Sequence, residues 1–214
     1  MKRLAILSGI ASLALVLGAC GLLPMVPIDD VLGLDSQALV VTVGAEPGAA
    51  LPLAAEYQGV GRFGPVEFDN VTGVTGLPMP NRLLYELGIA DGITVRSTGV
   101  YPETITVTAI EVVGEISEQG RAPATAEASV TGNAEFTRST ACVEGAQSCS
   151  YTLSGAGLDS LSLNWSGVAA IVFGGAEPNS ATATVTVSFA SEPALVPGST
   201  VEFILVVEST RAGL

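Results

Sequence analysis

The chain has 214 residues, with 21 carboxylates against 8 Lys and Arg, no histidine and a formal net charge of −13. Such a balance repels nucleic acid and anionic lipid headgroups, which bind clustered positive charge. Without imidazole there is no Ser-His-Asp or Cys-His catalysis and no His-ligated zinc, copper or iron site.

The first segment is a leader. Lys2 and Arg3 precede an apolar run from Leu4 to Leu17, which ends in small residues. A basic start, a short apolar core and a small-residue cleavage site define a secretory signal peptide. The run of 14 residues falls short of the ~20 that span a bilayer. It closes on Leu17-Gly18-Ala19-Cys20, which resembles the lipobox of bacterial lipoproteins. The resemblance covers only residues 1–20 and implies cleavage before Cys20, a diacylglyceryl group on its sulfur, and a stable membrane anchor, since two or more acyl chains hold firmly. It also implies export to the bacterial cell envelope. Gly21 after the cysteine resembles outer-membrane sorting, so the outer membrane is expected in preference to the cytoplasmic one. No family resemblance extends into the mature part.

Cleavage would leave 195 residues carrying all 21 acidic side chains and six arginines, Arg62, Arg82, Arg96, Arg121, Arg138 and Arg211, a net charge of −15. Lys2 is the chain's sole lysine, so Schiff-base and Ser-Lys chemistry is excluded from the mature part as well. Solubility and resistance to self-association are the simplest use of such a charge.

Residues 20–36, with Pro24 and Pro27 and no sustained periodicity, read as the lipidated cysteine and a tether, whose apolar residues could instead lie on the lipid surface or pack on the domain. Residues 37–214 read as one β domain. Apolar, β-rich stretches at 37–45 and 51–60 flank the turn signal Glu46-Pro47-Gly48, and 63–72 is a further strand candidate. After Pro78-Met79-Pro80, residues 82–87 suggest one helical turn with Asn81 as cap and Gly88 as stop. Strands are expected at 93–98 and 104–116, divided by Gly99-Val100-Tyr101-Pro102. In the second of these, Ile105, Val107 and Ala109 share one face, and the apolar phase then moves to Ile110 and Val112, the mark of a bulge or bend.

Beyond residue 117 the alternation is clearer. Ala126, Ala128, Val130, Ala134 and Phe136 alternate with polar residues, as do Leu161, Leu163 and Trp165, and Ala181, Ala183, Val185, Val187 and Phe189. A period of two marks strands with one buried and one wetted face. Residues 167–173 suit a central strand and 201–208 the last one. About ten strands with frequent turns indicate an all-β, antiparallel sandwich, immunoglobulin-like or jelly-roll, with a barrel as alternative. The stretch 117–123 is the one plausible place to divide two domains; a single domain is preferred because each half would hold only about five strands.

Cys142 and Cys149 flank the turn-like Val-Glu-Gly-Ala-Gln-Ser. In an exported chain they are expected to form a disulfide across a hairpin loop; six intervening residues do not make a redox C-x-x-C motif. Gly59-Val60-Gly61-Arg62-Phe63-Gly64 matches G-x-G-x-x-G, but Pro65 and a strand-like segment follow where a dinucleotide site needs a helix. The glycines are expected to serve a turn or bulge. Weak calcium candidates are Glu67 with Asp69 and Asn70, and Asp29 and Asp30 with Asp35, none in an EF-hand spacing. Trp165 and Phe136 read as core residues.

No cofactor or catalytic residue is expected. The leading expectation is a lipid-anchored, non-enzymatic structural or protein-binding module whose partners are the membrane, through Cys20, and other envelope proteins. A carrier of a small apolar ligand, and more remotely a carboxylate-based hydrolase, are the rivals.

Overall fold

The computed structural model describes residues 25–27, 38–42, 55–68, 81–118, 121–143, 145–168 and 179–213. Among these residues there is no helix. Eleven strands run in chain order: β1 (Val26–Pro27), β2 (Ala38–Thr42), β3 (Ala55–Phe68), β4 (Arg82–Ile89), β5 (Gly92–Arg96), β6 (Thr104–Glu118), β7 (Ala124–Arg138), β8 (Cys149–Leu153), β9 (Leu161–Ser166), β10 (Asn179–Glu192) and β11 (Thr200–Gly213). Every pairing is antiparallel, in the order β3-β10-β6-β7-β8-β5-β11-β4-β9, with β1 and β2 also on β11. The all-β antiparallel expectation holds.

One continuous sheet folds over itself. The long strands β3, β10, β6 and β7 form one layer, and β2, β11, β4 and β9 lie across from them. Their facing side chains show the stacking: Phe203 of β11 meets Phe189 of β10 with ring centroids 5.4 Å apart. A Cβ on Gly59 or Gly61 of β3 would fall on Val41 or Leu39 of β2, and one on Gly114 of β6 would fall on Trp165 of β9. Strands β8 and β5 carry the sheet from one layer to the other.

The core between the layers follows directly from the alternation. Strand β10 is buried at every second residue from Asn179 to Ser191, and β9 buries Leu161, Leu163 and Trp165 while Ser162 and Asn164 face out. Trp165 packs edge-on against Tyr85, centroids 5.8 Å apart, and Phe136 is buried with them. The phase change in β6 is also present: its register slips between Val107 and Ala109 against β7, and its partner β10 slips between Ser188 and Phe189. One extra residue turns the apolar side back toward the core on both sides of the slip.

Three expectations need correction. Residues 82–87 are not a helical turn; they lie in β4, where Leu83, Tyr85 and Leu87 point into the core. Pairing with β11 on one edge and β9 on the other outweighs a local helix preference of a few tenths of a kcal/mol per residue. The stretches 51–60 and 63–72 are one strand, β3, over their described residues, and Gly59 and Gly61 lie inside it beneath β2, in neither a turn nor a bulge. Gly64 does serve a bulge: its φ is +83°, and the register against β10 slips beside it, between Ala181 and Ala183. Residue 27, expected in a tether, pairs with β11 instead: Val26 and Pro27 lie opposite Ala212 and Arg211, and the Met25 side chain rests against Gly213.

The stretch 117–123 joins β6 to β7, which pair along their length from Thr104 opposite Thr137 to Ile116 opposite Ala124. Of 167–173, Gly167 has a left-handed φ of +75° that ends β9 and Val168 is buried; residues 169–173 lie outside the described residues.

Candidate functional site

Of the predicted site residues, the structure describes Glu67, Cys142 and Cys149. Cys20 lies outside the described residues, as do Asp29, Asp30, Asp35, Asp69 and Asn70; Glu67 is exposed on β3. Among the described residues no three His, Cys, Asp or Glu side chains are placed to hold a metal ion. Cys142 and Cys149 are joined in a disulfide with Cα atoms 5.3 Å apart, across the loop between β7 and β8.

That loop forms one wall of an open groove of about 1110 Å³. The groove sits where β5 ends and β11 begins. Its other walls are the β5–β6 connection from Ser97 to Tyr101 and the turn at Gly198. Each wall is held in place by local hydrogen bonds. The Tyr101 hydroxyl lies 3.0 Å from the Ala146 carbonyl and 3.2 Å from the Ser97 carbonyl, and accepts from the Ser97 N–H at 3.2 Å. It thereby ties the β5–β6 connection to the disulfide loop. Ser97 and Ser199 share a hydroxyl hydrogen bond of 2.8 Å, which ties the same connection to the β10–β11 turn. Within the disulfide loop, the Cys142 N–H donates to the Ser139 carbonyl at 3.0 Å and the Ala146 N–H to Val143 at 3.1 Å. Gly145, at φ +81°, provides the left-handed residue that this bend requires.

Beneath the groove lies a buried tyrosine. Tyr151 of β8 donates to the Pro102 carbonyl at 2.8 Å. Burial pushes its phenol well above the ordinary tyrosine range, against a smaller opposing pull from Arg138. Arg138 donates to the Tyr101 carbonyl at 3.0 Å and to Glu103 at 2.6 Å, so its charge is taken up within the protein. Arg121 is likewise paired with Glu118 and Arg211 with Glu86. Arg96, exposed at the end of β5, forms no ion pair with any described residue and lines the groove. Val100 and Val143 border it with 71% and 66% of their surface exposed.

A second cavity of about 180 Å³ opens where β4 and β5 part company. Asp91, Asp159 and Glu208 border it above Val107, Ile110 and Phe136, and Glu208 accepts a hydrogen bond from Ser160. Its volume lies below the ~300 Å³ at which ligand pockets begin.

Sequence reasoning did not identify Arg96, Tyr101, Val100 or Val143. One signal was present: a cation is scarce in this chain, so each of six arginines is a position to account for. Which of them lack a described carboxylate, namely Arg62, Arg82 and Arg96, depends on strands far apart in sequence. No protein-family model matches the chain, and no curated protein matches its sequence.

Proposed function

We propose that this chain is a lipoprotein of the bacterial cell envelope, fixed to a membrane through Cys20, and that its sandwich is a non-enzymatic protein-binding module. The observation that carries the reading is Leu17-Gly18-Ala19-Cys20 at the end of a 14-residue apolar run behind Lys2 and Arg3. The lack of histidine supports a binding role over catalysis. The filled space between the layers supports it over carriage of an apolar ligand, because Trp165, Tyr85, Phe136, Phe189 and Phe203 occupy the centre.

The attachment would also orient the domain. Cys20 precedes Met25 by five residues, which span at most about 17 Å when extended. Met25 rests on Gly213 and β1 pairs with the end of β11. The membrane-facing end would therefore be the one holding Gly213, Arg82 and Ser166, which are aligned across β11, β4 and β9.

Mass spectrometry of the mature N-terminal peptide from envelopes tests the anchor. A diacylglyceryl-modified Cys20 at the new N-terminus is expected, and Cys20→Ser should release the protein from the membrane fraction. An unmodified Cys20, or cleavage elsewhere, sinks the proposal.

A further inference from the structure

The groove beside the disulfide combines three properties. It holds the exposed Arg96, whose guanidinium meets no described carboxylate. It is flanked by Val100 and Val143, two of the most exposed large apolar side chains. Its walls are tied by the Cys142–Cys149 bridge, by the Tyr101 hydroxyl and by the Ser97–Ser199 pair. Walls fixed in advance lose little conformational freedom when a ligand arrives, which is the condition for useful affinity at a shallow site.

We infer that this groove docks a segment of a partner protein in which a carboxylate stands beside an apolar side chain, with Arg96 receiving the carboxylate and Val100 and Val143 the apolar group. A guanidinium presents two parallel N–H donors to a carboxylate and binds it more strongly than a neutral donor would. On a mature chain of net charge −15 the position matters. Most of the surface repels acidic segments, so a guanidinium without a described carboxylate, set between exposed apolar side chains, favours this site and orients what binds there. The apolar flanks argue for a polypeptide in preference to an acidic polysaccharide. Sugar rings favour exposed aromatic faces, and the one aromatic side chain lining the groove, Tyr101, is buried with its hydroxyl engaged.

The groove also lies at the end of β11 opposite the proposed anchor. Thr200 lines the groove, whereas Gly213 meets Met25. A strand of 14 residues separates the two by up to about 40 Å. The docking inference rests on the lipoprotein reading only for the direction in which the groove faces.

The test uses full-length protein in detergent and two pools of hexapeptides. One pool carries Asp or Glu next to Leu, Val or Phe; the other is identical with Asn or Gln in place of the acid. The wild type should retain the acidic pool at least tenfold better, and Arg96→Gln should abolish that preference. Arg62→Gln on β3 removes the same charge away from the groove and should leave the preference intact. Val143→Ser should weaken retention severalfold while leaving the thermal midpoint within a degree. Equal retention of both pools, or equal loss in Arg62→Gln, overturns the inference, as does stronger binding of polygalacturonate than of the acidic peptides. Because the binding measurement needs no acyl chain, an unmodified Cys20 would refute the anchor and leave the groove result standing.

Discussion

At the residue scale, the groove depends on a few side chains that couple segments distant in sequence. Tyr101→Phe keeps the ring but deprives the Ala146 carbonyl of its partner across 45 positions. A loss of about 1–3 kcal/mol follows from such an unsatisfied group, and urea titration would measure it. Replacing Cys142 and Cys149 by Ser frees a closed loop of seven-residue separation, worth about 2.5 kcal/mol on the chain-entropy estimate; the same titration, with and without reductant, should show it for the wild type only. Tyr151 gives a pH dependence with a definite sign. Burial raises its folded-state pKa, so the unfolded chain releases the proton first as pH climbs past the ordinary tyrosine value of about 10. The native state then binds more protons than the unfolded one, and stability falls with rising pH. A thermal midpoint independent of Tyr151 below about pH 9 and dropping above about pH 10 is expected, with Tyr151→Phe removing that part of the drop.

At the scale of elements, the two layers are matched by glycines in one and large side chains in the other. Gly114 of β6 leaves room for Trp165 of β9, and Gly59 and Gly61 of β3 leave room for Val41 and Leu39 of β2. Gly114→Val places a branched side chain where the indole lies. A destabilisation of about 1–3 kcal/mol, the usual cost of overpacking, should appear in denaturant unfolding; an unchanged midpoint would mean that the layers can separate there. Strands β9 and β10 are legible because one face stays apolar from Leu161 to Trp165 and from Ala181 to Phe189, so period two is uninterrupted there. Strand β4 is not. Arg82-Leu83-Leu84-Tyr85-Glu86-Leu87 fits a helical turn as well as a strand, and only the neighbours β11 and β9, far away in sequence, decide between them. Strand β3 was read as two because glycine weakens any local strand signal; inside the sheet the same glycines accommodate β2.

At the scale of the whole molecule, the proposed anchor and the groove define an axis. A fluorophore on Ser166→Cys, at the proposed membrane end, should be quenched by nitroxide-headgroup lipids in proteoliposomes of the lipidated protein. One on Val143→Cys should not. The native cysteines do not compete for the label, because Cys142 and Cys149 are bridged and Cys20 would be acylated. Quenching at position 143 instead would reverse the orientation. The amino-acid sequence by itself determined the all-β class and most of the core, since alternation and composition are properties of consecutive residues. It also carried the lipobox resemblance, a contiguous motif. Tertiary structure alone decided that residues 82–89 are a strand, that Val26 and Pro27 pair with β11, and that Arg96 is among the arginines left without a described carboxylate. Each of those outcomes depends on residues tens to hundreds of positions apart meeting across a sheet, and no local pattern encodes which of them meet.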